Sequence, residues 1–306
     1  MKICEDSEII YDVFSDEKED ITLDKLLEEI DFQQMVSQQT LVPLIASDNN
    51  PSVNCVQQFM VPLVASDNNP SVNCRKQFMV PLIATDDNSS VNCRKQFMVP
   101  RLIAIQGEIL NGFSPLYRHP AEEQPILKPF TPTTKIILDK LNKRLNLNMN
   151  HVLIQLYRDG EDNIGEHSDK TLDILKSSPI VNYTVGETRT LRLRNKITKQ
   201  KEYIELKDNS LFILGPETNR KWLHGIKSNS LIKGSRISFT FRTIATFIDE
   251  TGKITGQGAP IENKNIDDSF EMLKAFSKEN HESDFNWDEY YGKGFNALNF
   301  KFTDKI

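Results

Sequence analysis

The strongest pattern in the chain is the alternation of apolar and polar positions over short segments between residues 152 and 248, the period-2 signature of strands with one buried face. Within 152–157 it sets Gln155 and Tyr157 on one face. Within 236–242 it turns Ile237, Phe239 and Phe241 one way and Arg236, Ser238, Thr240 and Arg242 the other. Residues 180–194 read as two strands about Gly186, and 203–214, broken at Asp208-Asn209, as a hairpin. Helical spacing appears at Leu23, Leu26, Leu27 and Ile30, at Ile136, Ile137 and Leu141 within 131–145, and over 270–276. The pattern predicts a mainly β core with flanking helices, the 131–145 helix backing the sheet. The aromatic run at 285–292 is expected to dock on that core, a partner-binding peptide being the alternative.

Residues 1–21 carry Glu5, Asp6, Asp16, Glu17, Glu19 and Asp20 and read as an acidic, disordered tail. Between the first helix and the core lies an internal repeat. Val-Pro recurs at residues 42, 61, 80 and 99, and Cys at 55, 74 and 93, a spacing of 19 residues. Such a period permits a solenoid, but each unit has only a short apolar run beside Pro and Asp-Asn. A tandem duplication looping out at 42–98 is the reading, because loops tolerate length better than cores do. The repeat cysteines lack the close pairing of a zinc site. The expected division is the tail at 1–21, a core domain at 22–249 interrupted by the insertion at 42–98, and an extension at 250–306 packing on the core.

A chain of 306 residues with 38% hydrophobic positions can bury a sizeable core. The net charge of -6 argues against a strong nonspecific grip on nucleic acid, although a local basic patch is compatible with it. Four cysteines do not make a secreted disulfide scaffold. No apolar run reaches the roughly 18 residues of a membrane span, and the start lacks a signal-peptide core. A monomer of the nucleus or cytoplasm is expected.

The candidate chemistry sits at His167, Asp169 and His224. Two imidazoles and one carboxylate can cap one face of a metal octahedron and leave three positions open, which suits a non-haem Fe(II) oxygenase. His167 and Asp169 are two apart, so on a strand they share a face. Arg236 and Arg242 lie six residues apart, with backbones roughly 20 Å apart at about 3.3 Å per residue. Leaning inward, the two guanidinium groups leave a gap about the length of a small dicarboxylate, and each can hold a carboxylate with two hydrogen bonds. An inward Arg pair on an apolar strand is costly without an anion. His119 is read as structural, since the ligand set is complete without it.

Tyr157, His167-Ser168-Asp169, His224 and the Arg236/Arg242 pair, with the blocks at 153–157, 166–173, 214–226 and 234–242, resemble the AlkB family of 2-oxoglutarate- and Fe(II)-dependent dioxygenases. The likeness is dense from about residue 99 to 249 and is greatest to the fungal branch. It implies a double-stranded β-helix, a jelly-roll relative. It also implies Fe(II) on His167, Asp169 and His224, with O2 as cosubstrate. Arg236 then takes the distal carboxylate of 2-oxoglutarate and Arg242 lies near the chelating one, with Tyr157, Gln155 and Thr240 on the same face. Gln155 departs from the family's usual Asn.

The resemblance places 113–120 in a lid that approaches a nucleotide, with Tyr117 stacking on a base and Arg118 on a phosphate. Otherwise Tyr117 packs on the core edge and Arg118 pairs with Glu122 or Glu123. After Asp169 comes Lys170-Thr171, where well-studied relatives carry an acidic residue that contacts the damaged base. Thr171 is the substrate-side candidate here, and the substrate stays open. Arg189, Arg192 and Arg194 make either a basic face toward a polynucleotide or a charged strand edge. The implied function is oxidative demethylation of N-alkylated bases in DNA or RNA. The alternatives are hydroxylation or demethylation of a protein side chain, and a silent binding module.

Overall fold

Alternation places every second side chain of a strand between two sheets, and from residue 151 to 242 the chain crosses repeatedly between two such sheets. The computed structural model describes residues 2–14, 21–40, 94–121, 123–261, 267–298 and 301–303. Its strands are β1 (Glu8–Ile10), β2 (Gln33–Thr40), β3 (Arg94–Gly107), β4 (Phe113–Pro115), β5 (Glu123–Pro125), β6 (His151–Tyr157), β7 (Ile164–His167) and β8 (Ile180–Gly186). They continue as β9 (Arg189–Asn195), β10 (Lys201–Leu206), β11 (Ser210–Leu214), β12 (Trp222–Ile226), β13 (Arg236–Arg242), β14 (Thr246–Asp249), β15 (Ile254–Gly256) and β16 (Lys301–Thr303). The larger sheet has the order β1-β11-β8-β13-β6-β3-β2 and the smaller β10-β9-β12-β7. Strands β6 to β13 are thus shared between two antiparallel sheets, with only β9 and β10 consecutive in one of them. This is the double-stranded β-helix, or jelly roll.

The two faces of the larger sheet are chemically distinct. Outward, Val152, Ile154, Ile237, Phe239, Phe241 and Val181 pack with Ile137, Leu138 and Leu141 of helix α2 (Pro132–Leu145) and with Leu26 of α1 (Leu23–Glu29). Each such buried aliphatic side chain contributes roughly 1.5–3 kcal/mol. The stripe on α2 runs through Thr133, Thr134, Ile137, Leu138 and Leu141, while Ile136 is 39% exposed. The expected helix is therefore present with Ile137 and Leu141 buried as expected, and only Ile136 turned outward, with Leu138 on the buried face. Inward, Tyr157, Ile180, Phe212 and Leu214 meet Leu191, Leu193, Ile204, Trp222 and Ile226 of the smaller sheet. The site lies in this second layer.

Three expectations are corrected. Residues 203–214 do not form a hairpin: β10 and β11 lie in different sheets, and the hairpin is β9–β10. The turn at Asn209, with φ 55°, carries the chain across the sandwich edge, and its side-chain oxygen accepts from the Phe14 N–H and the Tyr183 hydroxyl at 3.1 Å each. The described part of the acidic tail is ordered, since β1 pairs with β11 and Ile9, Val13 and Phe14 are buried. Its Asp6 carboxylate accepts from the N–H groups of Glu217 and Thr218 at 2.8 and 2.9 Å, capping helix α3 (Pro216–Lys221), whose N-cap is a glycine without a side chain. Finally, part of the 113–120 loop is strand β4.

By internal contacts the chain divides into two units, residues 1–35 with 99–306, and residues 36–98. Of the second, only 36–40 and 94–98 are described, as the ends of β2 and β3. The rest of the expected insertion, with its cysteines, lies outside the described residues. Helices α4 (Ser269–His281) and α5 (Trp287–Tyr291) bury Met272, Phe276, Phe285, Tyr291 and Phe295 together with Leu172. Among the described residues no helix is long and apolar enough to cross a membrane.

Candidate functional site

Strands β7 and β12 pair so that His167 and His224 are direct cross-strand neighbours, with ring centroids 4.3 Å apart. A register shift follows His224 in this pair. Gly225 permits it, because a Cβ there would lie 2.9 Å from the Ile164 carbonyl oxygen. Strand β7 ends at His167, so Asp169 sits in the turn beyond it and not on the strand, as the two-residue spacing had suggested. The turn is fixed instead by Asn219 of α3, whose side chain accepts from the Asp169 N–H and donates to its carbonyl, both at 2.9 Å.

Ligand atoms of His167, Asp169 and His224 all lie within 4.8 Å of one another. Asp169 Oδ1 is 3.5 Å from His167 Nε2 and 3.8 Å from His224 Nε2. The His167 Nδ1–H donates to the Gly165 carbonyl at 2.9 Å, so Nε2 carries the lone pair and faces the cluster. The other carboxylate oxygen, Oδ2, accepts from Arg242 at 2.7 Å. Burial alone pushes the Asp169 carboxyl up, but Arg242 with the two histidines overrides this and holds it well below the usual carboxylate range. Burial, reinforced by His167, lowers His224 to about 3 and keeps its ring neutral. A carboxylate oxygen and two imidazole nitrogens converging on one point form the donor set that a divalent cation needs, so the residues fit Fe(II).

Around this point the inward faces of β6 and β13 are paired: Arg242 opposite His151, Ser238 opposite Gln155, and Arg236 opposite Tyr157. Arg236 is 1% exposed and bonds only hydroxyls, Thr184 Oγ at 3.0 Å and Ser238 Oγ at 3.4 Å, while its Nε and Nη1 have no partner. Burial, with Arg189 nearby, lowers it to about 10, which still leaves it charged at neutral pH. Its guanidinium lies 5.1 Å from the Tyr157 ring, and the Tyr157 hydroxyl is 3.5 Å from Gln155 Oε1. Thr240 accepts from the Asn182 side chain at 3.1 Å. Arg242 Nη1 and both nitrogens of His151 are also buried without partners. A cluster of so many buried polar groups without partners is unfavourable in itself and suited to an anionic ligand.

The expected substrate residues are placed differently. Arg118 is fully buried, bonded to both Asp173 oxygens and to the carbonyls of Phe295 and Gly258 at 2.8 Å each. The expected partner Glu122 and the side chain of Glu123 lie outside the described residues, and the guanidinium, taken up by Asp173 and the two carbonyls, is not offered to a phosphate. Tyr117 is 5% exposed and lies under Arg242, 4.1 Å from ring centroid to guanidinium, so it is not a surface platform for a base. Thr171 gives its N–H and hydroxyl to Glu279. Arg189 is buried on the carbonyls of Asp159, Gly160, Asp162 and Lys227, and Arg192 and Arg194 pair with Glu166, so these three form neither a basic face nor a solvated edge. Asn219 and His151 were missed. The second had a signal, because it is in phase with Gln155 and Tyr157.

Residues 105–242 match the family model of the 2OG-Fe(II) oxygenase superfamily. The DNA oxidative demethylase ALKBH2 of Mus musculus is 30% identical over 125 residues, 38% of this chain and 52% of that protein. Uncharacterized protein R406 of Acanthamoeba polyphaga mimivirus is 33% identical over 115 residues, 37% of this chain and 60% of that one. The alpha-ketoglutarate-dependent dioxygenase alkB homolog 3 of Homo sapiens is 27% identical over 153 residues, 47% of this chain and 51% of that one. The chain spans about half the length of the curated relatives it matches.

Proposed function

We propose that this chain, whose residues 105–242 match the 2OG-Fe(II) oxygenase superfamily and which is similar to AlkB homologues, is a 2-oxoglutarate- and Fe(II)-dependent dioxygenase that removes N-alkyl groups from nucleic acid bases by oxidation. The observation that carries the reading is the convergence of His167 Nε2, Asp169 Oδ1 and His224 Nε2 beside two buried arginines with unused donors. In this reading these three atoms hold Fe(II). When bound, Fe(II) supplies the activation of O2 that couples decarboxylation of 2-oxoglutarate to oxidation of a substrate C–H bond.

The protein's part is to bind and orient. Arg236, 1% exposed, binds the distal carboxylate of 2-oxoglutarate through its unpartnered Nε and Nη1. Arg242 holds Asp169 Oδ2 and offers Nη1 to the carboxylate nearer the metal. Tyr157, Gln155 and Thr240 lie on the same face. Similarity to proteins described as DNA oxidative demethylases supports a nucleic acid base as substrate. The buried state of Arg118, the commitment of Thr171 and the net charge of -6 favour a second substrate class, a protein side chain.

The test is release of formaldehyde and succinate by the protein supplied with Fe(II), 2-oxoglutarate and a panel of N-methylated DNA and RNA oligonucleotides. Equal amounts of the two products with one oligonucleotide are expected. Succinate without formaldehyde moves the substrate to protein, and neither product with iron bound makes the chain a binding module.

A further inference from the structure

We propose that the C-terminal segment is a positioning element of the metal centre, in which Glu279 and Asn280 of α4 hold the ligand turn 167–171 in its binding geometry. The inference rests on the metal-site reading above and lies outside the residues matched by the family.

Beyond His167 the turn leaves the sheet, so no ladder bonds hold Asp169 in place. Asn219 ties it from one side. On the other side, the Ser168 N–H donates to Asn280 Oδ1 at 3.0 Å, and the Ser168 hydroxyl to the Glu279 carbonyl at 3.3 Å. The Thr171 N–H donates to the Glu279 carboxylate at 3.0 Å, its hydroxyl donates there too, and its carbonyl accepts from the Trp287 indole at 3.0 Å. Apart from the Trp287 bond, which comes from α5, these bonds run from both sides of Asp169 to one short stretch of α4.

The chemistry of Glu279 is informative. It is 3% exposed, and burial raises its carboxyl. An apolar residue would close the helix onto the core at less electrostatic expense. Its oxygens instead take up the Thr171 donors and the Tyr291 hydroxyl, the last at 2.6 Å. The end of the same helix is anchored by Lys196, whose ammonium donates to the Glu279 carbonyl at 2.6 Å and to the Glu282 carbonyl at 3.3 Å, carbonyls that a helix terminus leaves without partners. Outer groups that orient metal ligands typically contribute about 10–100-fold in metal affinity.

The experiment measures binding of Co(II) to the full metal-free chain, its visible absorption spectrum, and thermal unfolding without metal. The variants are Glu279→Ala, Asn280→Ala, the conservative Glu279→Gln, and Asp268→Ala. Asp268 accepts from the Asn296 and Ala297 N–H groups within the same segment, away from the turn. Glu279→Ala and Asn280→Ala are expected to weaken Co(II) binding at least tenfold and to shift its absorption band, with Glu279→Gln restoring part of both. Asp268→Ala is expected to lower the unfolding temperature and leave the spectrum unchanged. If Glu279→Ala does not fold, Asn280→Ala decides alone. Binding within twofold of wild type and a superimposable spectrum in Asn280→Ala overturn the proposal, as does an equal loss in Asp268→Ala. A wild-type chain that binds no Co(II) overturns the metal-site reading instead, and shows this before any variant is made.

Discussion

Replacing Arg236 by methionine should move two measurable quantities in opposite directions. In the ligand-free protein this guanidinium is 1% exposed and keeps Nε and Nη1 without partners. Burying an ion costs several kcal/mol, and exchange of an imperfectly compensated one for an apolar group of similar volume is typically neutral or stabilising by about 1–4 kcal/mol. For a domain of this size each kcal/mol is worth roughly 2–4 °C in Tm. The bound state behaves oppositely. Two hydrogen bonds to a carboxylate contribute about 1.5–3 kcal/mol each, so their loss should weaken 2-oxoglutarate by roughly two to four orders of magnitude. Thermal unfolding with Co(II), with and without 2-oxoglutarate, reads both at once, because ligand raises Tm according to its concentration relative to Kd. Wild type should show a cosubstrate-dependent rise, and Arg236→Met should start level or higher and show none. A rise that persists in the variant refutes the assignment of Arg236, and a fall of several degrees without ligand refutes the argument that its donors are uncompensated.

Asp169→Ala should abolish Co(II) binding and 2-oxoglutarate turnover, and turnover at the wild-type rate with added Fe(II) would remove the metal assignment. Arg118→Leu should destabilise the fold by about 3–5 kcal/mol in denaturant unfolding, because Asp173 is left buried without its cation, and should leave oligonucleotide affinity unchanged. Burial lowers His119 to about 4 and His224 to about 3, and drives His151 well below 6.5. These rings stay neutral in the folded state, whereas the unfolded chain takes up protons near pH 6.5. Stability is therefore fully present above that pH and lost as pH falls from about 6.5 toward 4. Chelator-treated protein should show this slope in denaturant titrations, reduced in His119→Asn, and a flat profile over that range would count against buried neutral histidines.

Strand β13 was legible because its two faces differ in kind: Ile237, Phe239 and Phe241 against the helices, arginines and hydroxyls toward the inner layer. The same period reaches back to His151, so the site's fourth inward residue on β6 was readable in principle. Other features depend on distant partners. An arginine in a loop looks exposed, and Arg118 is not, because Asp173 lies 55 residues away. The Asp208-Asn209 turn marks a reversal of the chain but not whether the next strand joins the same sheet. The carboxylates near the N-terminus looked like a solvated tail, yet Asp6 is spent on capping α3. On α2, Ile137 and Leu141 were legible as the buried side, while the buried Thr133 and Thr134, polar in sequence, gave no signal.

The cap at Asp6 has a wider consequence. It secures Thr218, the next residue is Asn219, and Asn219 grips the backbone of Asp169. From the opposite direction, Glu279 and Asn280 reach the same turn. The stretch that similarity delimits, 105–242, contains every ligand atom but neither of these outer anchors. The fragment that carries these supports of the ligand turn therefore runs from near the first residues through α4, well past both limits of the matched segment.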